Sequence, residues 1–181
     1  MIKIRRATHS DAPFIAETYR PFVEDSWASF EQTAPDADEI ASRLDAAGDL
    51  YPWLIAEDDA PRAYAYASPH RRRAAYVSSV DTTIYCAEGA RGRGVGKQLY
   101  AALIALLTRQ NYIMAFAGIA LPNAASVALH KAVGFALIGQ YPTVGYKAGS
   151  WRDTQWWGRA LAEPMTPPEP VVPLSDIADA P

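Results

Sequence analysis

The run Arg91-Gly92-Arg93-Gly94-Val95-Gly96-Lys97, joined without a break to the apolar segment Gln98 to Leu107, restricts the fold more than any other stretch. Three glycines alternate with bulkier residues just before helical periodicity begins, so backbone N–H groups can converge on one point with no Cβ atoms in the way. The dipole of the helix adds positive potential at that point. Arg91, Arg93 and Lys97 add full charges, so a phosphate or pyrophosphate is the natural guest. The residues before the loop, Tyr76 to Cys86, read as a strand, which makes the unit strand, glycine turn, helix.

Spacing separates this loop from two others that hold phosphates. A P-loop ends in Gly-Lys-Ser/Thr, whereas Gly96-Lys97 is followed by Gln98, with no magnesium-binding hydroxyl. A dinucleotide fingerprint reads Gly-x-Gly-x-x-Gly with an acid about 20 residues on, and that acid is missing here. A surface glycine turn that only caps an amphipathic helix remains open at this level.

At 181 residues, 50% of them hydrophobic, the chain supports one domain with a substantial core. Seventeen basic and twenty acidic residues give a net charge of -3, so no global field favours nucleic acid or an anionic membrane. Any anion site must therefore be local. The one cysteine, Cys86, excludes an intramolecular disulfide and a cysteine-based zinc cluster, and no metal is expected. Met1-Ile2-Lys3-Ile4 has no signal-peptide core, and the longest strongly apolar helical run, Leu99 to Leu107, is too short to span a bilayer. A cytoplasmic protein is expected.

Strand and helix signals alternate along the chain. Ile2 and Ile4 open a first strand, and Thr8-x-x-Asp11 reads as a capping box for a helix through about Glu24. A second helix starts near Asp36. Trp53 to Ala56 and Ala63 to Ala67 flank an acidic turn as a hairpin, and the long strand Tyr76 to Cys86 follows. After the helix built on Leu99, Leu103, Ile104, Leu106 and Leu107, Ile113 to Ile119 is a buried-strand run and Asn123 to Val133 another helix. Gly134 is its C-cap and Phe135 begins a further strand. Prolines 164, 167, 168, 170, 173 and 181 make the end an extended tail.

The pattern Arg-x-x-Gly-x-Gly resembles the coenzyme A pyrophosphate loop of GNAT acetyltransferases. The segments RRATHSDAPFIAETY, YPWLIAE, YAYASPHRRRAAY, RGRGVGKQLYAALIALL and LPNAASVALHKAVGF, in that order, resemble the phosphinothricin N-acetyltransferase family, which includes methionine sulfoximine and sulfone acetyltransferases. The resemblance covers roughly residues 2 to 162, and the tail PPEPVVPLSDI is similar to that of some members. It implies an α/β (α+β) GNAT fold, a mixed central sheet of about seven strands flanked by about four helices. The expected division is an acetyltransferase domain over residues 1–163 and a proline-rich tail over 164–181. Acetyl-CoA as co-substrate and a homodimer are also implied.

Acetyl transfer to an amine needs a neutral nitrogen, a polarised thioester carbonyl and a proton for the departing thiolate. Asp81 and His130 are the candidates. Asp81 lies mid-strand, where a carboxylate is costly unless paired, and an outward-facing or salt-bridged Asp is the alternative. The resemblance places a catalytic Glu at this position, here shortened by one methylene. His130 lies seven residues after Asn123 on the same helix face and matches the family's catalytic His, able to act as base or acid.

For the coenzyme, the resemblance implies Ile84, Tyr85 and Cys86 at a β-bulge that frees backbone groups, the loop Arg91, Gly92, Arg93, Gly94, Val95, Gly96 and Lys97, and Asn123 with Ser126. Cys86 reads as a small apolar spacer, and Asn123 serves equally well as a helix N-cap. For the acceptor it implies Phe30, Arg71, Arg73 and Tyr76, two guanidinium forks and two rings suited to an amino acid with a carboxylate and an anionic side group. A solvated basic loop and a core Phe30 are the bland alternatives. Val77-Ser78 departs from the aromatic-containing pair usual after that Tyr. The function expected is N-acetylation of phosphinothricin, methionine sulfoximine or methionine sulfone; a coenzyme A-binding regulatory protein, or transfer to another amine or a protein N-terminus, stays open.

Overall fold

The computed structural model describes residues 1–178. Seven strands, β1 (Lys3–Arg6), β2 (Trp53–Glu57), β3 (Pro61–Pro69), β4 (Ser79–Cys86), β5 (Met114–Ala120), β6 (Ala136–Lys147) and β7 (Ser150–Ala160), form one sheet in the order β1-β2-β3-β4-β5-β7-β6. All neighbours are antiparallel except β4 and β5. A parallel pair needs a crossover, and the glycine loop with its helix supplies it. This is the α/β architecture expected from the sequence.

Period-2 alternation along the strands divides the core between two faces. On one, Leu54, Ala56, Val80 and Ala117 pack against Leu99, Leu103 and Leu107 of α3 (Val95–Arg109), and Val127 and Leu129 of α4 (Ala124–Ala132) join them. On the other, Ile55 and Tyr64 meet Ile15, Tyr19 and Val23 of α1 (Ala12–Glu24) and Ile40 of α2 (Ala37–Ala47). Asp36 caps α2, its side chain accepting from Glu39 N at 2.9 Å. The Thr8/Asp11 box forms, with Thr8 N donating to Asp11 Oδ2 at 2.8 Å, but it closes a 3-10 turn over His9–Asp11 and α1 starts one residue later.

Two expectations need correction. Tyr76 does not begin the strand: Tyr76 N bonds Arg73 O at 2.9 Å and Val77 N bonds Ala74 O at 3.1 Å, so a 3-10 turn spans Ala74–Tyr76 and β4 starts at Ser79. Local turn bonds satisfy the backbone before any ladder partner is in reach. Among its described residues the Pro-rich end has no helix or ladder beyond a 3-10 turn at Leu174–Asp176, yet it is docked, with Val172 N on Gln110 O at 2.9 Å and Leu174 only 2% exposed. Among the described residues no helix is long and apolar enough to cross a membrane.

Candidate active site

Parallel pairing of β4 and β5 covers Ser79↔Met114, Val80↔Ala115 and Asp81↔Phe116, after which the strands separate. Antiparallel pairing of β4 with β3 continues unbroken from Pro69↔Val80 to Ala63↔Cys86, and Ala87 N bonds Arg62 O at 2.9 Å. Ladder bonds alternate, so the backbone groups of Ile84 and Cys86 face away from β3 and into the gap. The expected β-bulge at Ile84 to Cys86 is therefore absent. Departure of β5, not a bulge, takes away their ladder partner.

The gap opens into a cavity of about 420 Å³. Of the residues read from the sequence, Ile84, Tyr85, Cys86, Arg91, Gly92 and Gly94 line it, as do Gly96, Lys97, Asn123, Ser126 and His130. Val95 turns into the core at 5% exposure, and Arg93 is exposed outside the lining. A second cavity, about 490 Å³, lies under α2 and Leu174 at the far end of the sheet and gathers none of these residues.

Gly94 occupies the N-cap of α3 at φ 77, left-handed backbone that a side chain disfavours. The first helical bond runs from Gln98 N to Gly94 O, which leaves the N–H groups of Val95, Gly96 and Lys97 without helical partners. Arg91 stands at the mouth, its Nε on Cys86 O at 3.3 Å and its guanidinium 4.9 Å over the Phe22 ring. A Cβ on Gly96 would sit 3.2 Å from Cys86 Sγ, so Cys86 is a packing neighbour of the first turn of α3. Burial pushes its thiol pKa up, against the pull of Arg91, which makes it a poor nucleophile.

On the α3–α4 side, Asn123 caps α4 by accepting from Ser126 N at 3.1 Å. His130 is 4% exposed, with Nδ1 2.7 Å from Ser126 O and Nε2 3.1 Å from the Tyr100 hydroxyl. Tyr100 OH lies 2.6 Å from Thr82 Oγ1, which donates to Phe116 O at 2.9 Å. Two of these bonds end on carbonyls, which only accept. Counting protons, a neutral imidazole leaves one bond of the chain without a hydrogen, and an imidazolium completes all of them. Burial, the larger influence, holds the His130 pKa below its ordinary value, while the Ser126 carbonyl raises it. The side chain therefore rests neutral in a network organised to accept a proton.

Asp81 is the neighbour of Thr82 on β4, so it faces the opposite side of the sheet. There its Oδ1 meets His70 Nδ1 at 2.6 Å. Burial pushes the Asp81 carboxyl up, opposed by the His70 hydrogen bond and by Arg71. His70 was not among the sequence candidates; a hairpin register pairing Ser68 with Asp81 was the signal that could have placed it there. Arg71 donates to His70 O at 2.7 Å and lies 5.6 Å over the Trp156 ring, and Tyr76 stands edge-on to His70 at 6.0 Å. Arg73 stays exposed at the start of the 3-10 turn and is not drawn into this cluster.

The segment between α1 and α2 crosses to this face. Phe30 presses on Gly145 of β6 where no Cβ could fit, Lys147 Nζ donates to Glu31 O, and Trp27 Nε1 donates to Pro122 O at 2.9 Å. Arg152 stacks 4.2 Å over Trp27. Phe30 is thus held on the same face of the sheet as Asp81, 38% exposed, and is not core. No local sequence pattern announces contacts between residues 116 apart, such as Glu31 and Lys147.

The acetyltransferase (GNAT) domain family matches residues 4–156. The chain is 34% identical to phosphinothricin N-acetyltransferase of Streptomyces viridochromogenes over 97% of this chain and 96% of that protein. It is 36% identical to the L-methionine sulfoximine/L-methionine sulfone acetyltransferase of Pseudomonas paraeruginosa over 83% of this chain and 89% of that one. Among solved structures, a GNAT superfamily phosphinothricin acetyltransferase from Sinorhizobium meliloti in complex with AcCoA is similar at a TM-score of 0.87 and 37% identity, covering 94% of this chain and 93% of that one.

Proposed function

The chain belongs to the GNAT acetyltransferase family, and we propose that it uses acetyl-CoA to acetylate the α-amine of phosphinothricin, methionine sulfoximine or methionine sulfone. One observation carries the reading: the gap between β4 and β5 has free helix N–H groups at one end and ionisable side chains on its two faces. The relatives named for these substrates support it over most of the chain.

Acetyl-CoA supplies an acyl thioester open to attack. The α3 N-terminus, with Arg91 and Lys97, holds the pyrophosphate, and the backbone groups of Ile84 with the N–H of Cys86 pair with the pantetheine arm. Arg71, with Tyr76 at the rim, orients the acceptor's carboxylate or side-chain oxyanion. Charge balance sets the proton traffic. The acceptor arrives as an ammonium, and its first proton leaves on the Asp81 face. The freed pair forms the N–C bond, and as C–S breaks the second N–H proton passes to sulfur. His130, neutral at rest and hydrogen-bonded so as to stabilise its charged form, holds that proton between nitrogen and sulfur. The products are an amide, a thiol and one proton released to water.

Leu137, Ile138, Tyr141, Tyr146 and Trp151 are 51–62% exposed along β6 and β7. An apolar surface of this kind suits burial against a second copy, as a homodimer. A single unpaired cysteine suits a cytoplasmic enzyme.

The test is incubation with acetyl-CoA and L-methionine sulfoximine, following thiol release and the mass of the amine. The expected result is thiol release that depends on both substrates, with one acetyl group on the α-nitrogen. Thiol release no faster than thioester hydrolysis with all three analogues would overturn the reading.

A further inference from the structure

Resting on the N-acetyltransferase reading above, we infer that His70, through Nε2, is the group that removes the proton from the acceptor ammonium, with Asp81 as the carboxylate that orients it. An ionised carboxylate only accepts hydrogen bonds, so the 2.6 Å contact with Asp81 Oδ1 places the proton of a neutral imidazole on Nδ1. The lone pair is then on Nε2. That atom has no hydrogen bond among the described residues, and it is not among the buried polar atoms left unpartnered, so it keeps contact with solvent on a side chain that is 13% exposed.

The ring is held in place. It stacks on Phe116 with centroids 4.3 Å apart at 24°, and the rings of Tyr76 and Trp156 meet it edge-on, each at 6.0 Å. Phe116 pairs with Asp81 at the last step before β4 and β5 diverge, so the imidazole lies over the mouth of the gap on the acceptor face. The charged and titratable groups in contact with it are Asp81 from β4, Arg71 beside it and Tyr76 from the 3-10 turn; from β5 and β7 the rings of Phe116 and Trp156 meet it.

The chain departs from the Glu that its resemblance implies at position 81, and the His–Asp pair accounts for that departure. A carboxylate one methylene shorter, with Oδ1 tied to an imidazole, passes its reach to the ring. In the step itself an N–H bond of the ammonium breaks, its proton moves to Nε2, and the imidazolium keeps its Nδ1–H on Asp81. The nitrogen's freed pair then forms the bond to the acetyl carbon as the C–S bond breaks, the second N–H proton goes to sulfur, and Nε2 returns its own proton to water. An Asp holding His in one tautomer is an established arrangement for a general base.

The test uses the full chain with acetyl-CoA and methionine sulfoximine. His70→Gln keeps a donor for Asp81 and preserves the fold; with His70→Phe, it should lower kcat/KM by about 10²-fold while acetyl-CoA affinity by calorimetry stays within about twofold. Asp81→Asn should match it, and the double variant H70Q/D81N should cost little more than either alone, because the two act as one unit. The acid limb of the kcat/KM profile should change position in His70→Phe, since a carboxylate replaces an imidazole as the base. Asp81→Glu in the His70→Phe background should recover about tenfold by restoring direct reach. Folded His70 variants with the wild-type kcat/KM and acid limb would overturn the inference alone. A wild type without turnover on any amine would overturn the N-acetyltransferase reading with it.

Discussion

His70 and His130 stand on opposite faces of the sheet where β4 and β5 part, and their surroundings differ in the one respect that decides what an imidazole does. His130 is 4% exposed and touches hydroxyls and a carbonyl, so burial holds it neutral. His70 is bound to a carboxylate and keeps contact with solvent through its other nitrogen. Both are recruited by consecutive residues of β4: Asp81 holds His70 directly, and Thr82 reaches His130 through Tyr100. Because successive side chains of a strand point to opposite faces, two adjacent residues organise two separate proton sites.

The comparison breaks if the two sides are not both needed. Asp81→Ala and His130→Ala should each lower kcat by about 10²-fold or more, with acetyl-CoA binding retained in calorimetry. Wild-type turnover in both would place proton handling elsewhere. Gly94→Val, at the end of the gap that serves neither imidazole, should instead weaken acetyl-CoA affinity by about tenfold or more, since φ 77 and the approach of a pyrophosphate both disfavour a branched side chain. An unchanged dissociation constant in the folded variant would remove the loop from the coenzyme site.

Smaller effects sharpen the contrast. Tyr100→Phe takes the hydroxyl out of the chain on the His130 side only, and should lower kcat by about tenfold with a stability loss of about 1–2 kcal/mol in denaturant unfolding. Arg71→Ala should raise the acceptor KM by about tenfold with the acetyl-CoA KM nearly constant, the expectation for an exposed charge-assisted contact. The smallest effect is on stability. His130 has a pKa in the folded state below its ordinary 6.5, so the unfolded chain binds the proton first as pH falls. The His130 contribution to the unfolding free energy should therefore decline from pH 6.5 toward the depressed folded value and level off below it, so the decline below pH 6.5 should be smaller in His130→Gln.

The sequence carried the parts of the site that are local. Gly92 to Lys97 announces the turn into α3 because φ and helix periodicity are written in adjacent residues, and Asn123 with His130 follows from helical spacing. It misled where a distant partner decides. The expected bulge at Cys86 was replaced by the departure of β5, and Tyr76 left the strand because turn bonds formed first. His70 and the Trp27 to Glu31 wall were illegible for the same reason: their partners are Asp81, Phe116, Pro122 and Lys147, brought close only by the sheet order.

The central claim concerns the acceptor, and kcat/KM across a panel of amines tests it most directly. Phosphinothricin, methionine sulfoximine and methionine sulfone should exceed spermidine and an unblocked peptide N-terminus by about tenfold or more, because Arg71 attracts an oxyanion and repels a second cation. A preference for spermidine or the peptide over all three analogues would contradict the account of the acceptor face.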